Sequence, residues 1–349
     1  MRYGEIFMTQ IAFVGCAHIH TPGFINMISR RSDVAVTAVW DPDTRRSTFR
    51  ADQLKAKVSP SAEAIFADDS IKSVVICSET NRHDQLVAMA TKARKHLFVE
   101  KPLGMGGRDG YAMAQAIEDA GVQFQTGYFQ RSDPKNRFIK ELIAKGSLGK
   151  ISKVYASNAH SGALGNLFGS KPDAPHDDWR WMADPAVAGV GAFGDLGTHA
   201  LDILLWWLGD VSAATAQIDS VTNTYPGCDE SGQGLMRFKT GATAVLNAGW
   251  VDHADPVTYI VSGTEGRAAV INGQLHVVSR KDSRFTNDTI VRANEMPPAA
   301  PHAFELFLDA LVGRDLAVPL VGAREAAYRS SVMEAMYEGA KANTWVVPK

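Results

Sequence analysis

In the first part of the chain, short apolar runs alternate with stretches whose apolar residues recur at helical spacing. The runs predict buried strands, and the stretches between them predict helices that cover these strands. Strands that alternate with helices are typical of a parallel, doubly wound sheet. The predicted strands are residues 11–14, 34–40, 73–77, 96–99 and 122–126, and the clearest helix is 110–120.

The pattern changes after residue 150, where strand follows strand with turn signals between them. Asn272-Gly273 is typical of a tight hairpin turn. A predicted helix at 133–145 leads out of the first domain. Amphipathic helices at 302–311 and 324–342 follow the strand series and predict packing on the sheet or back onto the first domain. We therefore expect domains at residues 1–129 and 130–349. The predicted strands are residues 151–159, 213–219, 234–238, 243–249, 257–263, 268–271 and 275–279.

Residues 195–209 predict a helix with two different faces, provided that it has begun by Asp195. One face is apolar and must pack on a core: Leu201, Leu204, Leu205 and Leu208. The opposite face carries Asp195, His199, Asp202 and Trp206. It is either a solvated polar face or the wall of a cleft. The indole and the glycine-rich entry at 189–194 favour the cleft.

The first predicted strand runs into a tight turn and then a helix start at Thr21-Pro22. This geometry can bind a pyrophosphate through backbone N–H groups and the helix dipole. The dinucleotide fingerprint G-x-G-x-x-G is altered, since alanine and histidine replace its second and third glycines. An ordinary turn is the alternative. The predicted cofactor contacts here are Gly15, Ala17, His18, Ile19 and His20.

Asp41 closes the second predicted strand, where an acidic side chain can accept both hydroxyls of an adenosine ribose. It would also repel a 2′-phosphate, so the sequence favours NAD over NADP. Arg45 and Arg46 follow Asp41. They could instead bind a phosphate, or they could simply lie on an exposed helix face.

Lys101 follows the strand at 96–99, and ligands of doubly wound sheets bind at such carboxyl ends. Gly15, Asp41 and Ser78 also lie at strand ends. A lysine there can stabilise a developing alkoxide. The alternative is a solvated surface lysine.

Composition adds mainly exclusions. The 349 residues are 45% hydrophobic and 21% charged with a net charge of −2, so nothing favours binding to nucleic acid or an anionic membrane. No apolar run reaches the roughly 18 residues of a membrane span. The three cysteines are far apart, which favours a reducing compartment and a cytoplasmic protein. Residues 1–7 read as an extension before a start at Met8. We expect no metal, because one held by His18 and His20 would compete with a pyrophosphate.

The chain resembles the Gfo/Idh/MocA oxidoreductases over nearly its whole length. The most specific segments are Glu100-Lys101-Pro102 and Asp195-Leu196-Gly197-Thr198-His199, with Asp202 after it. The approach from Trp179-Arg180 to that helix, and the crossing at residues 127–131, are also similar.

The resemblance implies an α/β Rossmann domain followed by an α+β domain on an open, mostly antiparallel sheet. It implies a catalytic set of Lys101, Asp195 and His199, and sugars or cyclitols as substrates. The loop after the fourth strand departs from the family, because its proline is lost and Thr80 stands where asparagine is usual. The further cofactor contacts implied are Ser78, Thr80, His83, Glu100, Lys101 and Gln130.

A long glycine- and proline-containing loop, residues 161–190, precedes the two-faced helix. Loops of this length in compact domains are usually functional or disordered. We expect this region to bring His160, Trp179 and Arg180 to a substrate, beside Lys101, Asp195 and His199.

Three functions remain open at this point. The first is an NAD-dependent dehydrogenase in which His199 is the general base for a substrate hydroxyl. The second is a redox-neutral NAD-dependent enzyme that cleaves glycosides, and the third is a non-catalytic nucleotide sensor. The open sheet also predicts a homo-oligomer, a dimer or tetramer, with a monomer as the alternative.

Overall fold

A six-stranded parallel sheet forms the first half of the chain in the computed structural model, which describes residues 8–349. The predicted extension at residues 1–7 lies outside the described residues. The strand order across the sheet is β3-β2-β1-β4-β5-β6. The chain builds outward from β1 in one direction and then from β4 in the other, and ligands of such sheets bind in the crevice between these two strands. The strands are β1 (Thr9–Cys16), β2 (Val34–Trp40), β3 (Lys57–Val58), β4 (Ser73–Cys77), β5 (His96–Val99) and β6 (Phe124–Thr126).

Helices cover both faces of this sheet, which explains the unbroken apolar runs of its strands. Ile11 and Phe13 of β1 face the layer that contains α1, while Ala12 and Val14 face the opposite layer. The helices are α1 (Thr21–Ile28), α2 (Thr44–Leu54), α3 (Ala62–Ala67), α4 (His83–Lys92) and α5 (Gly107–Ala120).

The second sheet has eight strands in the order β14-β13-β12-β11-β7-β10-β9-β8. Every pairing is antiparallel except that of β7 with β10, so the expected open, mostly antiparallel sheet is confirmed. The strands are β7 (Ile151–Ala159), β8 (Val211–Asp219), β9 (Ser231–Phe238), β10 (Thr243–Gly249), β11 (Val257–Gly263), β12 (Gly266–Ile271), β13 (Gln274–Ser279) and β14 (Thr289–Ile290).

One face of the second sheet is covered and the other is open. The helices of this half are α6 (Pro134–Ala144), α7 (Pro185–Ala188), α8 (Ala192–Leu208), α9 (Ala303–Leu311) and α10 (Ala323–Ala342). The leucine face of α8 lies in the main core, as predicted. The open face forms a groove of about 630 Å³ that includes the exposed side chains of Leu235 and Trp345.

The last two helices join the two halves. Phe304 and Phe307 of α9 complete the apolar layer above α1. Ala326 of α10 packs in the opposite layer of the first sheet, while Met333 and Met336 enter the core of the second. The boundary predicted after residue 129 falls at a short 3-10 helix, Phe129–Ser132. Among the described residues, no helix is both long and apolar enough to cross a membrane.

Candidate active site

Lys101, Asp195 and His199 lie close together at the carboxyl edge of the parallel sheet. Lys101 follows β5 by two residues, and the first turns of α8 supply the other two side chains. Lys101 Nζ donates to Asp195 Oδ1 at 2.6 Å and to the Asp195 carbonyl at 3.2 Å. The lysine side chain is only 2% exposed. A buried ion pair therefore ties the two domains together at this edge.

The Asp195 carboxylate has a second partner, since Oδ2 accepts a hydrogen bond from Trp250 Nε1 at 3.2 Å. Burial alone would raise the pKa of this carboxyl. The Lys101 ammonium outweighs burial, through its charge and its hydrogen bond, and lowers the pKa of Asp195 to about 2. Asp195 is therefore ionised at neutral pH and holds the ammonium group of Lys101 in place.

His199 lies one helical turn after Asp195 and is buried. Burial lowers the pKa of its imidazole well below the usual range, and the nearby Lys101 charge acts in the same direction. Its Nδ1 has no hydrogen-bond partner among the described residues. A neutral, unpaired imidazole beside a lysine can accept a proton from a substrate hydroxyl.

The space around these groups is small and is closed by the long loop. A cavity of about 10 Å³ has walls that include His18, Lys101, Trp181 and Asp195. This volume holds about one water molecule. Trp181 Nε1 donates to the Ala17 carbonyl in the glycine turn at 3.1 Å. The loop from the second domain thus covers the crevice at the first strand.

The glycine turn has the tight geometry that its sequence predicts. Gly15 has a φ of +83°, and a Cβ there would lie 2.6 Å from Ser78 Cβ. Ala17 is buried. Ile19 packs against a cluster of buried apolar residues that includes Phe168 and Trp250. The strand-turn-helix arrangement can therefore present its backbone to a dinucleotide.

The two histidines of the turn face Glu100. His20 Nδ1 lies 3.1 Å from Glu100 Oε1, and His18 Nε2 lies 3.8 Å from Oε2. Glu100 is fully buried and also accepts from the Lys101 backbone N–H at 2.8 Å. His20, which stands at the position of the third fingerprint glycine, thus places a second imidazole beside Glu100, next to that of His18.

Asp41 is buried, and the protein already uses both of its carboxylate oxygens. Oδ2 accepts from the Cys16 N–H, while Oδ1 accepts from the Asp43 N–H and from Arg46. Burial raises the pKa of Asp41 above its ordinary value, although Arg46 opposes this. Asp41 therefore anchors the turn, and its contact with a ribose stays a prediction.

The other predicted cofactor residues are spread more widely. Ser78 is buried against the glycine turn and Thr80 lines the cavity. His83 is buried, and its Nδ1 lies 3.1 Å from the backbone carbonyl oxygen of Leu103. Gln130 Oε1 accepts from Tyr259. Neither His83 nor Gln130 lines the cavity.

The predicted substrate residues of the loop region do not gather at the cavity. His160 is exposed and its Nδ1 accepts from the Gly162 N–H. Trp179 lies beneath Lys171, and Arg180 is exposed and paired with Asp178. The structure places Trp181 at the cavity wall and Trp250 on the Asp195 carboxylate, two residues that the sequence did not indicate.

The predicted cleft face of α8 needs a correction, because Asp195 is the one residue of that face that lines the cavity. Asp202 Oδ1 accepts from Arg131 at 2.6 Å and from Arg329 at 2.9 Å, and all three residues are buried. Trp206 lies beneath Lys140. Two buried guanidinium groups require a carboxylate here, so Asp202 is an interior ion-pair partner.

The fold and this edge of the sheet define a Rossmann-type oxidoreductase, and residues 9–128 match the family described as "Oxidoreductase family, NAD-binding Rossmann fold". Residues 136–269 match the GFO/IDH/MocA C-terminal domain. The chain belongs to the GFO/IDH/MocA family of NAD-binding oxidoreductases.

Individual relatives are distant. A levoglucosan dehydrogenase of Pseudarthrobacter phenanthrenivorans is 26% identical over 58% of this chain and only 56% of its own length. A myo-inositol 2-dehydrogenase of Thermotoga maritima is 26% identical over 71% of this chain and 68% of its own length. The solved structure of levoglucosan dehydrogenase with NADH and levoglucosan has a TM-score of 0.79 at 19% identity, covering 97% of this chain and 99% of that one. This likeness shows a shared fold.

Proposed function

We propose that the protein transfers a hydride between NAD and a secondary alcohol or ketone of a sugar, sugar derivative or cyclitol. The observation that carries this proposal is the buried Lys101–Asp195 pair at 2.6 Å with His199 one turn further along α8. The names of the relatives, which include a sugar and a cyclitol dehydrogenase, support the substrate class.

The residues of this chain have separate tasks in such a reaction. Bound NAD would supply the hydride acceptor, held by the Gly15 turn and the start of α1. Lys101 donates a hydrogen bond to the substrate oxygen and stabilises the alkoxide that develops on it. His199 removes the hydroxyl proton, and Asp195 orients the lysine.

Titration with NADH and NADPH, followed by absorbance of reduced nicotinamide across a panel of sugars and cyclitols, tests the proposal. We expect NADH to bind more tightly than NADPH, and NADH to form with at least one substrate. Lys101→Ala should abolish turnover and retain NADH binding. No binding of either nucleotide would refute the proposal. Tight binding with a new product but no NADH would instead favour redox-neutral glycoside cleavage.

We also propose that two or four copies associate through the open face of the second sheet. The exposed Leu235 and Trp345 side chains in its groove support this. Leu235→Glu should then lower the mass measured by light scattering, while Val221→Glu, at an exposed apolar residue outside the groove, should not. A monomeric parent protein would contradict the proposal.

The three cysteines are buried free thiols, which supports a cytoplasmic location. Fractionation of the source cells should therefore recover the protein with cytoplasmic markers. Recovery with extracytoplasmic fractions would contradict this.

A further inference from the structure

His18, His20 and Glu100 form a cluster that the proposed hydride transfer does not use. One ligand-type atom from each residue lies within 4.8 Å of the other two. His20 Nδ1 is 3.1 Å and His18 Nε2 is 3.8 Å from the nearest Glu100 oxygen. The three groups therefore face one another, and His18 also lines the cavity.

Their chemistry matches a transition-metal site. Two imidazoles and one carboxylate are donors that Zn²⁺, Fe²⁺ and related cations accept, with coordination positions left for water or substrate. Glu100 and His18 are almost fully buried, and His20 is one-third exposed. The cluster is thus rigid on one side and has an access route on the other.

The hydrogen bonding of His18 can adapt to a cation. Its Nδ1 accepts a long hydrogen bond of 3.2 Å from the His20 backbone N–H. Ligation through Nε2 would move the ring proton to Nδ1 and give up this hydrogen bond. The negative charge of Glu100 would offset part of the charge of the cation.

We propose that His18, His20 and Glu100 bind one divalent transition-metal cation beside the Lys101–Asp195 pair. The expectation of no metal rested on competition with a pyrophosphate at His18 and His20, and the sequence gives no sign that Glu100 lies beside both. The proposed site is therefore a property of the nucleotide-free protein. His18, Lys101 and Asp195 line one cavity, so the open positions of the cation would lie next to the catalytic set. This site is additional to the proposed NAD chemistry and does not depend on it.

Metal binding by the full-length protein tests the proposal directly. Protein stripped with a chelator is titrated with Zn²⁺ and with Co²⁺, without nucleotide, by calorimetry and by the visible spectrum of bound Co²⁺. We expect one equivalent per chain. His20→Asn and Glu100→Gln should each weaken binding by about tenfold or more, since even outer contacts of metal sites contribute that much.

His253→Asn is the matched control, because it removes an exposed imidazole outside the cluster. It should bind metal like the parent protein. Circular dichroism shows whether each variant is folded. Less than one equivalent in the parent protein, or equal affinity in His20→Asn and His253→Asn, would overturn the metal site. NADH titration of the stripped protein reports separately on the proposed dehydrogenase function.

Discussion

Replacing Lys101 by methionine should damage stability and activity for different reasons. The substitution keeps a long side chain but leaves the Asp195 carboxylate buried without its ion-pair partner. In the parent protein the pKa of Asp195 is about 2, against an ordinary value of 3.8. Asp195 therefore stabilises the fold above its ordinary pKa, and this contribution is lost as pH falls through about 2.

The size of the effect follows from that shift. A difference of roughly two pKa units corresponds to about 2–3 kcal/mol of interaction. Removing one partner of a buried pair costs about 3–5 kcal/mol, because the remaining charge is desolvated without compensation. In Lys101→Met, burial raises the pKa of Asp195, so the folded variant loses stability as pH rises through the new pKa. Its deficit should be largest at about pH 7 and smaller at about pH 5.

Urea denaturation of Lys101→Met, Asp195→Asn and the double variant at both pH values measures this. The double variant replaces the carboxylate by a neutral amide that still contacts Trp250, so it should recover much of the stability lost in Lys101→Met. It should remain inactive, since it lacks the amine that we propose stabilises the alkoxide. A loss below about 1 kcal/mol in Lys101→Met, the range of an exposed pair, would refute the reasoning. So would a deficit independent of pH.

Three further results are expected. His199→Asn should lower turnover by about 10²–10⁴-fold with little change in NADH affinity. In the unmutated protein, burial lowers the pKa of His199. The fall of kcat/KM on the acid side should therefore occur at a pH below the ordinary histidine range. Asp202→Asn should lower the free energy of unfolding by about 3–5 kcal/mol, because two buried arginines lose their carboxylate, whereas Asp210→Asn, in an exposed pair, should cost less than about 1 kcal/mol. Gly15→Ala should lower the melting temperature and NADH affinity, since its positive φ and close neighbour exclude a Cβ, while Gly23→Ala, with open space around it, should not. Equal losses of stability in Asp202→Asn and Asp210→Asn, or equal effects of Gly15→Ala and Gly23→Ala, would contradict the corresponding prediction. A fall of kcat/KM within the ordinary histidine range would contradict the pH prediction.

Every strand of three or more residues was predicted from its apolar pattern. The bounds 34–40, 73–77, 96–99, 151–159, 243–249 and 257–263 agree with the structure residue for residue. The two-residue strands β3 and β14 and the short helices α3 and α7 escaped prediction, because such short elements leave no periodic pattern. They are fixed by tertiary contacts.

The site was predictable where local spacing determines geometry. Asp195 and His199 are one turn apart on a helix, and Lys101 lies just beyond the carboxyl end of β5, so their approach follows from the fold class. Asp202 shares that helical face in sequence, but its arginine partners lie 71 and 127 residues away. No local signal identifies them. Trp181 was missed for a similar reason, since its contact with Ala17 spans 164 residues.

The return of α9 and α10 to the first sheet has a consequence for how the protein is made. The nascent Rossmann strands leave the ribosome well before Phe304 and Ala326, which cover their two faces. The apolar surface under those helices therefore stays unprotected until α9 and α10 have been synthesised. A polypeptide truncated before α9 would leave both faces of the sheet uncovered at these places.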